Sequence, residues 1–180
     1  FGGGRGTRFR DPDMGPVWAV ASMVSRDVQL FGTDPEGHPD QAWREVGTLR
    51  GPDSGSLFLA SHPASKHLWM DTPLAADPES AQQVAVFDIG HLDKGFRRLP
   101  VARWAGLEGG PQRVLQPTYD ASGSEVWLTV WNPQNLGAAV VVVDDATLEP
   151  RAVIRDAALT TPTRIYSVAA LRRAVAPQTP

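Results

Sequence analysis

The 180-residue sequence contains no cysteine, which rules out a disulfide framework and any thiolate-bound metal within it. No apolar run approaches the roughly 18 residues that a membrane-spanning helix requires, so we expect no membrane span. A formal net charge of −3 leaves no cationic excess for binding phosphate backbones, and nucleic acid is therefore not an expected partner. No stretch keeps an apolar period of 3.6 residues, which argues against long helices.

The sequence does contain many short β-rich segments that are separated by turns. With 42% hydrophobic residues, it has enough apolar sequence for a packed core. Short apolar or alternating segments bounded by Gly, Pro and Asp predict strands. The predicted strands cover residues 17–24, 27–32, 42–49, 57–60, 67–71, 83–89, 96–101, 113–116, 125–131, 138–144 and 148–154. Short helical turns are expected only within residues 40–44 or 101–107.

These strands recur as a repeated pattern. A turn is followed by Leu-Trp or Val-Trp in a strand, a loop, a Val-rich strand that ends in aspartate, and an outer strand. Two copies begin at His62-Pro63 and Gln116-Pro117, 54 residues apart, and four strands at such a period are typical of β-propeller blades. We therefore predict an all-β propeller with blades at residues 15–53, 54–104 and 105–158. Because propellers close with about four to eight blades, three blades make an incomplete ring.

The segments outside the three blades are expected to be irregular. Residues 1–14 are rich in glycine but lack the spacing of a phosphate-binding loop, which favours a mobile loop. Such a start, without an initiator methionine, predicts that the sequence is a fragment. Residues 159–172 are predicted to be a closing strand that pairs with an element outside this sequence, and residues 173–180 are expected to be disordered.

A polar turn within residues 55–71 draws attention because it places His62 after an apolar strand. Imidazole is the side chain best suited to proton transfer near neutral pH. The alternative is a turn histidine that bonds a backbone carbonyl, and the residues alone favour that alternative. His67 lies five residues further on, without acidic or cysteine ligands nearby, so no metal site is predicted.

The other polar and aromatic residues of the repeat have structural interpretations. His38 and His91 are expected to be solvated in loops. The recurring tryptophans are expected to pack between sheets, namely Trp18, Trp69, Trp127 and Trp131. Aspartates at the ends of strands are expected to cap turns, namely Asp71, Asp88 and Asp144.

Several segments together carry a family resemblance. They are residues 15–19 (Gly-Pro-Val-Trp-Ala), 32–43, 55–63, 84–88 (Val-Ala-Val-Phe-Asp), 125–132, 141–148 and 161–163 (Thr-Pro-Thr). In this order and at this spacing they resemble the C-terminal part of the haem d1-binding domain of cytochrome cd1 nitrite reductases. The resemblance implies an eight-bladed propeller that holds haem d1 in its central channel, in a periplasmic protein of denitrification.

The same resemblance implies partners and ligands that lie outside this sequence. The proximal ligand of the haem iron and most arginines that neutralise the haem carboxylates come from earlier blades in the family. The expected partners are haem d1 or its precursor, nitrite if the protein is a reductase, and a c-type cytochrome that exchanges electrons. A homodimer is a further expectation for the full-length protein.

The resemblance also implies roles for particular residues. His62 takes the place of a distal-pocket histidine and is the expected catalytic acid or base. Gln116, Thr163 and Tyr166 fall at positions that contact the macrocycle, with Tyr166 in place of a phenylalanine. Ser22 stands where the reductases carry a second distal histidine.

Three functions stay open on the sequence. Nitrite reduction consumes two protons, and the hydroxyl of Ser22 is a poor acid, which favours a relative that oxidises a haem d1 precursor during maturation. A nitrite reductase with an altered distal pocket is the second, and a cofactor-free propeller that serves as a binding scaffold is the third. Arg164 stands where the family has glycine, and it is expected either to pair with a haem carboxylate or to be a solvated arginine at the channel mouth. We expect an oxidoreductase only for the full-length protein, whereas the fragment alone should be inactive.

Overall fold

The computed structural model describes residues 6–135, 137–156 and 158–159, and within them the chain forms three antiparallel sheets of four strands. Each sheet is built from four strands that follow one another in sequence. Blade 1 contains β1 (Thr7–Asp11), β2 (Gly15–Ala21), β3 (Asp27–Gly32) and β4 (Glu45–Arg50). Blade 2 contains β5 (Leu59–Ala60), β6 (His67–Asp71), β7 (Val84–Asp88) and β8 (Phe96–Leu99). Blade 3 contains β9 (Arg113–Tyr119), β10 (Glu125–Trp131), β11 (Ala138–Asp144) and β12 (Pro150–Ile154).

The sheets pack face to face in chain order, with blade 2 in the middle. All five residues of β6 are buried, because alternate side chains enter two different cores. Leu68 and Met70 pack with Val17 and Ala19 of blade 1. On the other face, Trp69 and Val86 of blade 2 pack with β10 and β11 of blade 3. The blade 3 residues in this core include Val126, Leu128 and Val141. This stacking of four-stranded meanders confirms the predicted all-β propeller with three blades.

The first strand of each blade lies at the edge where the blades converge. β5 and β9 contact each other directly, and each pairs on one side only, with the second strand of its own blade. In a propeller this inner edge lines the central channel. The turns between first and second strands therefore lie at one mouth of that channel.

Most strands lie where the sequence predicts them, and the strands over residues 67–71, 125–131 and 138–144 have the predicted bounds. The prediction of a loop over residues 1–14 is wrong for Thr7–Asp11, which pairs with β2 as β1. The burial of β1 alternates as in a strand, because Phe9 and Asp11 are buried whereas Arg8 and Arg10 are exposed. The predicted closing strand at residues 159–172 lies outside the described residues, apart from position 159.

Three short helices connect the strands. α1 (Pro78–Ala81) is capped by Asp77, whose carboxylate accepts from the backbone N–H groups of Glu79 and Ser80. A 3₁₀ helix follows β7 at Ile89–Lys94, and α2 (Val101–Ala105) follows β8. The sequence predicts α2, whereas residues 40–44 form turns and a bridge instead of a helix. None of the helices in the described ranges has the length and apolar composition needed to cross a bilayer.

Candidate functional site

The channel mouth is formed by the turns between the first and second strands, which we call the mouth turns. They contain residues 12–14 in blade 1, 63–66 in blade 2 and 121–124 in blade 3. The last residue before each turn faces the first residue of the second strand. The pairs are Asp11 with Gly15, His62 with His67 by extension of the β5–β6 register, and Asp120 with Glu125. Asp11, His62 and Asp120 are therefore equivalent positions in three blades.

The three equivalent side chains perform the same task in their turns. Each accepts a hydrogen bond from the backbone N–H group two residues later. The bonds are Asp13 N–H to Asp11 Oδ1 at 2.9 Å, Ala64 N–H to His62 Nδ1 at 3.1 Å, and Ser122 N–H to Asp120 Oδ2 at 3.0 Å. The imidazole of His62 thus replaces an aspartate that caps the turn in the other two blades. The ring accepts from a backbone amide, whereas the structural alternative considered above was a bond to a backbone carbonyl.

This hydrogen bond determines which nitrogen of His62 carries the proton. Because Nδ1 accepts from Ala64 N–H, the neutral ring carries its proton on Nε2. Among the described residues, no group hydrogen-bonds to Nε2, so its N–H can donate to an oxygen atom at the mouth.

Two residues of blade 3 pack against the imidazole. The ring of Tyr119 lies with its centroid 5.6 Å from that of His62, at an interplanar angle of 37°. Gly123 lies against the ring atoms, and a Cβ atom at this position would overlap Nδ1. The orientation of His62 is therefore set by contacts across the interface between blades 2 and 3.

A buried carboxylate lies behind these contacts and was not predicted from the sequence. Asp145 accepts four hydrogen bonds from side chains: Ser65 Oγ at 2.6 Å, Tyr119 OH at 2.7 Å, Trp69 Nε1 at 3.0 Å and His67 Nδ1 at 3.2 Å. The side chains of His67 and Asp145 are each only 7% exposed. Burial opposes ionisation of Asp145, but the hydrogen bond with His67 and the bonds from the other donors outweigh it and lower its pKa.

A second buried carboxylate connects blade 2 to the inner strand of blade 3. Asp71 accepts from the backbone N–H groups of Leu57 at 2.9 Å, Phe58 at 2.8 Å and Gln116 at 2.8 Å. Burial raises the pKa of Asp71 to about 6, although these bonds favour its ionised form. The prediction that Asp71 caps a turn is wrong, because it clamps two blades together. Asp88 and Asp144 do cap turns, as predicted.

Gln116 lies on the inner edge, as the sequence resemblance implies for a residue that contacts the macrocycle. It is buried and adopts a left-handed backbone conformation with φ of 58°. The β9–β10 register shifts at this point, so β9 bulges beside the channel. Thr163, Tyr166 and Arg164 lie outside the described residues.

Ser22 is not part of a mouth turn. It lies in the β2–β3 turn, where its Oγ accepts from Val24 and Ser25 N–H groups. The next residue, Met23, accepts from Gly55 N–H, and Gly55 O accepts from Leu74, which follows the end of β6. His62 precedes the start of β6, so a strand length of about 15 Å separates the two sites. The residue of blade 1 that is equivalent to His62 is Asp11.

The fold and the mouth turns define a segment of a β-propeller whose channel mouth carries one imidazole between two carboxylates. The chain matches the family model of the cytochrome D1 heme domain over residues 2–170, and it belongs to this family. It is 37% identical over 172 residues to a nitrite reductase of Stutzerimonas stutzeri, which covers 92% of this chain and 31% of the reductase. The chain thus spans about a third of the length of this relative.

Two solved structures are similar in fold. The dihydro-heme d1 dehydrogenase NirN in complex with DHE has a TM-score of 0.63 at 18% identity, covering 83% of this chain and 27% of that protein. Hydrazine synthase of Kuenenia stuttgartiensis has a TM-score of 0.51 at 15% identity, covering 83% of this chain and 35% of that protein. At these identities, both support the propeller architecture alone.

Haem d1 is the cofactor of this family, as the sequence resemblance implies. The donor set in the described residues offers the Nε2–H of His62 and a bulged inner strand at Gln116. No group of three His, Cys, Asp or Glu side chains in the described ranges is placed to hold a metal ion.

Proposed function

We propose that the chain forms three consecutive blades of a haem d1-binding propeller in a periplasmic oxidoreductase, and that this enzyme oxidises a side chain of a haem d1 precursor. One observation carries the proposal: of the three equivalent mouth positions Asp11, His62 and Asp120, only one is an imidazole. Electrons leave through a c-type cytochrome partner. The full-length protein is a homodimer in this proposal.

Asp120, the last residue before the mouth turn of blade 3, cannot serve as a second proton donor for nitrite reduction. Hydrogen bonds from Ser122 and from backbone N–H groups outweigh partial burial and lower the pKa of Asp120 to about 2, so this carboxylate is ionised at neutral pH. Asp120 precedes Gly123 in the turn that packs on the His62 ring. An ionised carboxylate at this place has no proton to give to nitrite.

His62 serves this reaction as a hydrogen-bond donor. Its Nε2–H orients a carboxylate oxygen on the side chain of the bound precursor, because Nδ1 is occupied by Ala64 N–H. Haem d1, when bound, supplies the redox-active iron. Gln116 contacts the macrocycle from the bulge in β9. The geometry favours this orienting role over the general acid or base role expected from the sequence.

Nitrite reduction is the second candidate, and the 37% identity to a nitrite reductase favours it. In that case the Nε2–H of His62 would orient one oxygen of nitrite. A reductase with a single distal imidazole would need another donor for the second proton.

The two candidates are separated by turnover of the full-length, haem-loaded protein with nitrite and with the haem d1 precursor. We expect wild type to oxidise the precursor, and His62→Gln to lose at least tenfold in this rate. Asp11→His should increase nitrite reduction, because histidine already caps the equivalent turn in blade 2. Ser22→His is the matched control and should change neither rate. If wild type already reduces nitrite and Asp11→His does not increase this rate, the maturation function is rejected.

A further inference from the structure

We propose that Asp145 is a positioning residue for His62, acting through Ser65 and Tyr119. The inference rests on the function proposed for His62. Asp145 holds Tyr119, whose ring packs against the imidazole, and Ser65, which bonds the backbone carbonyl of His62. Both arms start from the same carboxylate, and both end at His62.

The first arm fixes the backbone of the mouth turn. Ser65 N–H donates to the carbonyl oxygen of His62 at 2.9 Å, which closes the turn. The Ser65 hydroxyl donates to Asp145 Oδ2 at 2.6 Å and accepts from His67 N–H at 2.9 Å. Ser65 thus connects the backbone of His62 and the backbone of His67 to Asp145. Because the turn is fixed on both sides, it presents His62 in one position.

The second arm fixes one face of the imidazole. Tyr119 OH donates to Asp145 Oδ1 at 2.7 Å, and the Tyr119 ring lies against His62 with a centroid separation of 5.6 Å. Burial raises the pKa of the Tyr119 hydroxyl, which therefore stays a neutral donor to the carboxylate. Without this bond the phenol could turn, and the face of the imidazole would lose its support.

The carboxylate is itself held rigidly across the blade interface. Asp145 follows β11 of blade 3, and its N–H donates to the carbonyl of Ser124 in the mouth turn of that blade. His67 and Trp69 of β6 donate to its Oδ1 from blade 2. A buried carboxylate satisfied by donors from two blades transmits the position of blade 3 to the His62 turn.

Asp145→Asn is the informative substitution because it preserves size while replacing one acceptor oxygen with an NH₂ group. That group would face the hydroxyl of either Ser65 or Tyr119, so one arm is lost. Asp144→Asn is the matched control. Asp144 is the adjacent residue, but it caps the following turn through Thr147 and pairs with Arg151. Tyr119→Phe removes one arm and keeps the ring.

The test uses ¹³C-histidine-labelled full-length protein loaded with haem d1, with the His62 ring signal assigned by its loss in His62→Gln. We expect Asp145→Asn to move or broaden this signal, Tyr119→Phe to do so less, and Asp144→Asn to leave it unchanged. An unchanged His62 signal in both Asp145→Asn and Tyr119→Phe would overturn the inference.

Precursor turnover by the same variants distinguishes this inference from the proposed function. If His62→Gln loses activity while Asp145→Asn leaves the His62 signal unchanged, the positioning role is wrong and the function stands. If Asp145→Asn moves the signal while His62→Gln retains full activity, the positioning role stands and the function proposed for His62 is wrong. Should Asp145→Asn fail to fold, Tyr119→Phe and Ser65→Ala test the two arms separately by the same signal.

Discussion

The imidazole of His62 occupies the space that a side chain at Gly123 would need. Gly123 has a φ of 78°, and an added Cβ atom would overlap Nδ1 of His62. The glycine therefore meets two requirements at once, a left-handed backbone conformation and close contact with the ring. This contact connects the mouth turn of blade 3 to the proposed orienting residue of blade 2.

Gly123→Ala should therefore displace His62, and Gly95→Ala is a close control. Gly95 has the same φ of 78°, but nothing lies within 4 Å of its added Cβ. Both variants should lose free energy of unfolding from backbone strain, on the order of 1–3 kcal/mol for Gly95, whose φ of 78° and ψ of −141° form a conformation that essentially only glycine adopts. Only Gly123→Ala should also lower precursor turnover and shift the His62 ring signal. Equal effects of the two substitutions on turnover and signal would show that the contact does not position His62.

Gln116→Gly should separate cofactor contact from stability. Glycine adopts the left-handed conformation at φ of 58° without strain, which recovers about 1 kcal/mol and offsets part of the lost packing. We expect the affinity for haem d1 to fall severalfold in a spectral titration of the apoprotein, with little change in unfolding. Trp43→Gly relieves the same kind of strain at φ of 63° on an exposed residue and should leave the affinity unchanged. Unaltered affinity in Gln116→Gly would remove this residue from the cofactor site.

Asp71 should give the stability of the apoprotein a specific pH dependence. Its pKa is raised from 3.8 to about 6 in the folded state, so folding favours the protonated carboxyl. The contribution of Asp71 to the free energy of unfolding is therefore complete below about pH 4. It falls by up to roughly 3 kcal/mol as the pH rises to about 6. In urea unfolding, wild type should therefore lose stability relative to Asp71→Asn across this range.

Asp144→Asn tests the sign of this effect. The backbone N–H of Thr147 holds the pKa of Asp144 below its usual value, so its contribution is lost only as pH falls. Wild type should keep a constant difference from Asp144→Asn between pH 4 and 6. A constant difference from Asp71→Asn over the same range would contradict the raised pKa of Asp71.

The sequence predicts the strands and the repeat well because each blade is a local structure. Antiparallel neighbours are consecutive in the chain, so apolar segments and turn residues at short range specify the meander. The loop predicted at residues 7–11 failed because the alternation of Phe9 and Asp11 is hidden between arginines and glycines. The 54-residue period pairs His62 with Gln116, whereas the strand register makes Asp120 the equivalent residue of blade 3.

The position of Ser22 relative to the mouth turns follows from strand pairing. A residue that precedes the second strand of a blade and a residue that follows it lie at opposite ends of that strand. Asp11 and His62 precede the second strands of their blades, whereas Ser22 follows one. The cross-strand pair Asp11–Gly15 identifies the residue that is equivalent to His62. This equivalence depends on hydrogen-bond register, which the spacing of motifs does not contain.

By itself, the sequence determined that the protein is an all-β propeller of this family with a histidine in a turn between two strands. Short-range periodicity and turn chemistry contain that information. The tertiary structure decided how the histidine is held: Tyr119 and Gly123 contact His62 across a blade interface from positions more than fifty residues away, and Asp145 holds Tyr119. Such contacts arise from the packing of blades against one another, which no local pattern in the chain encodes.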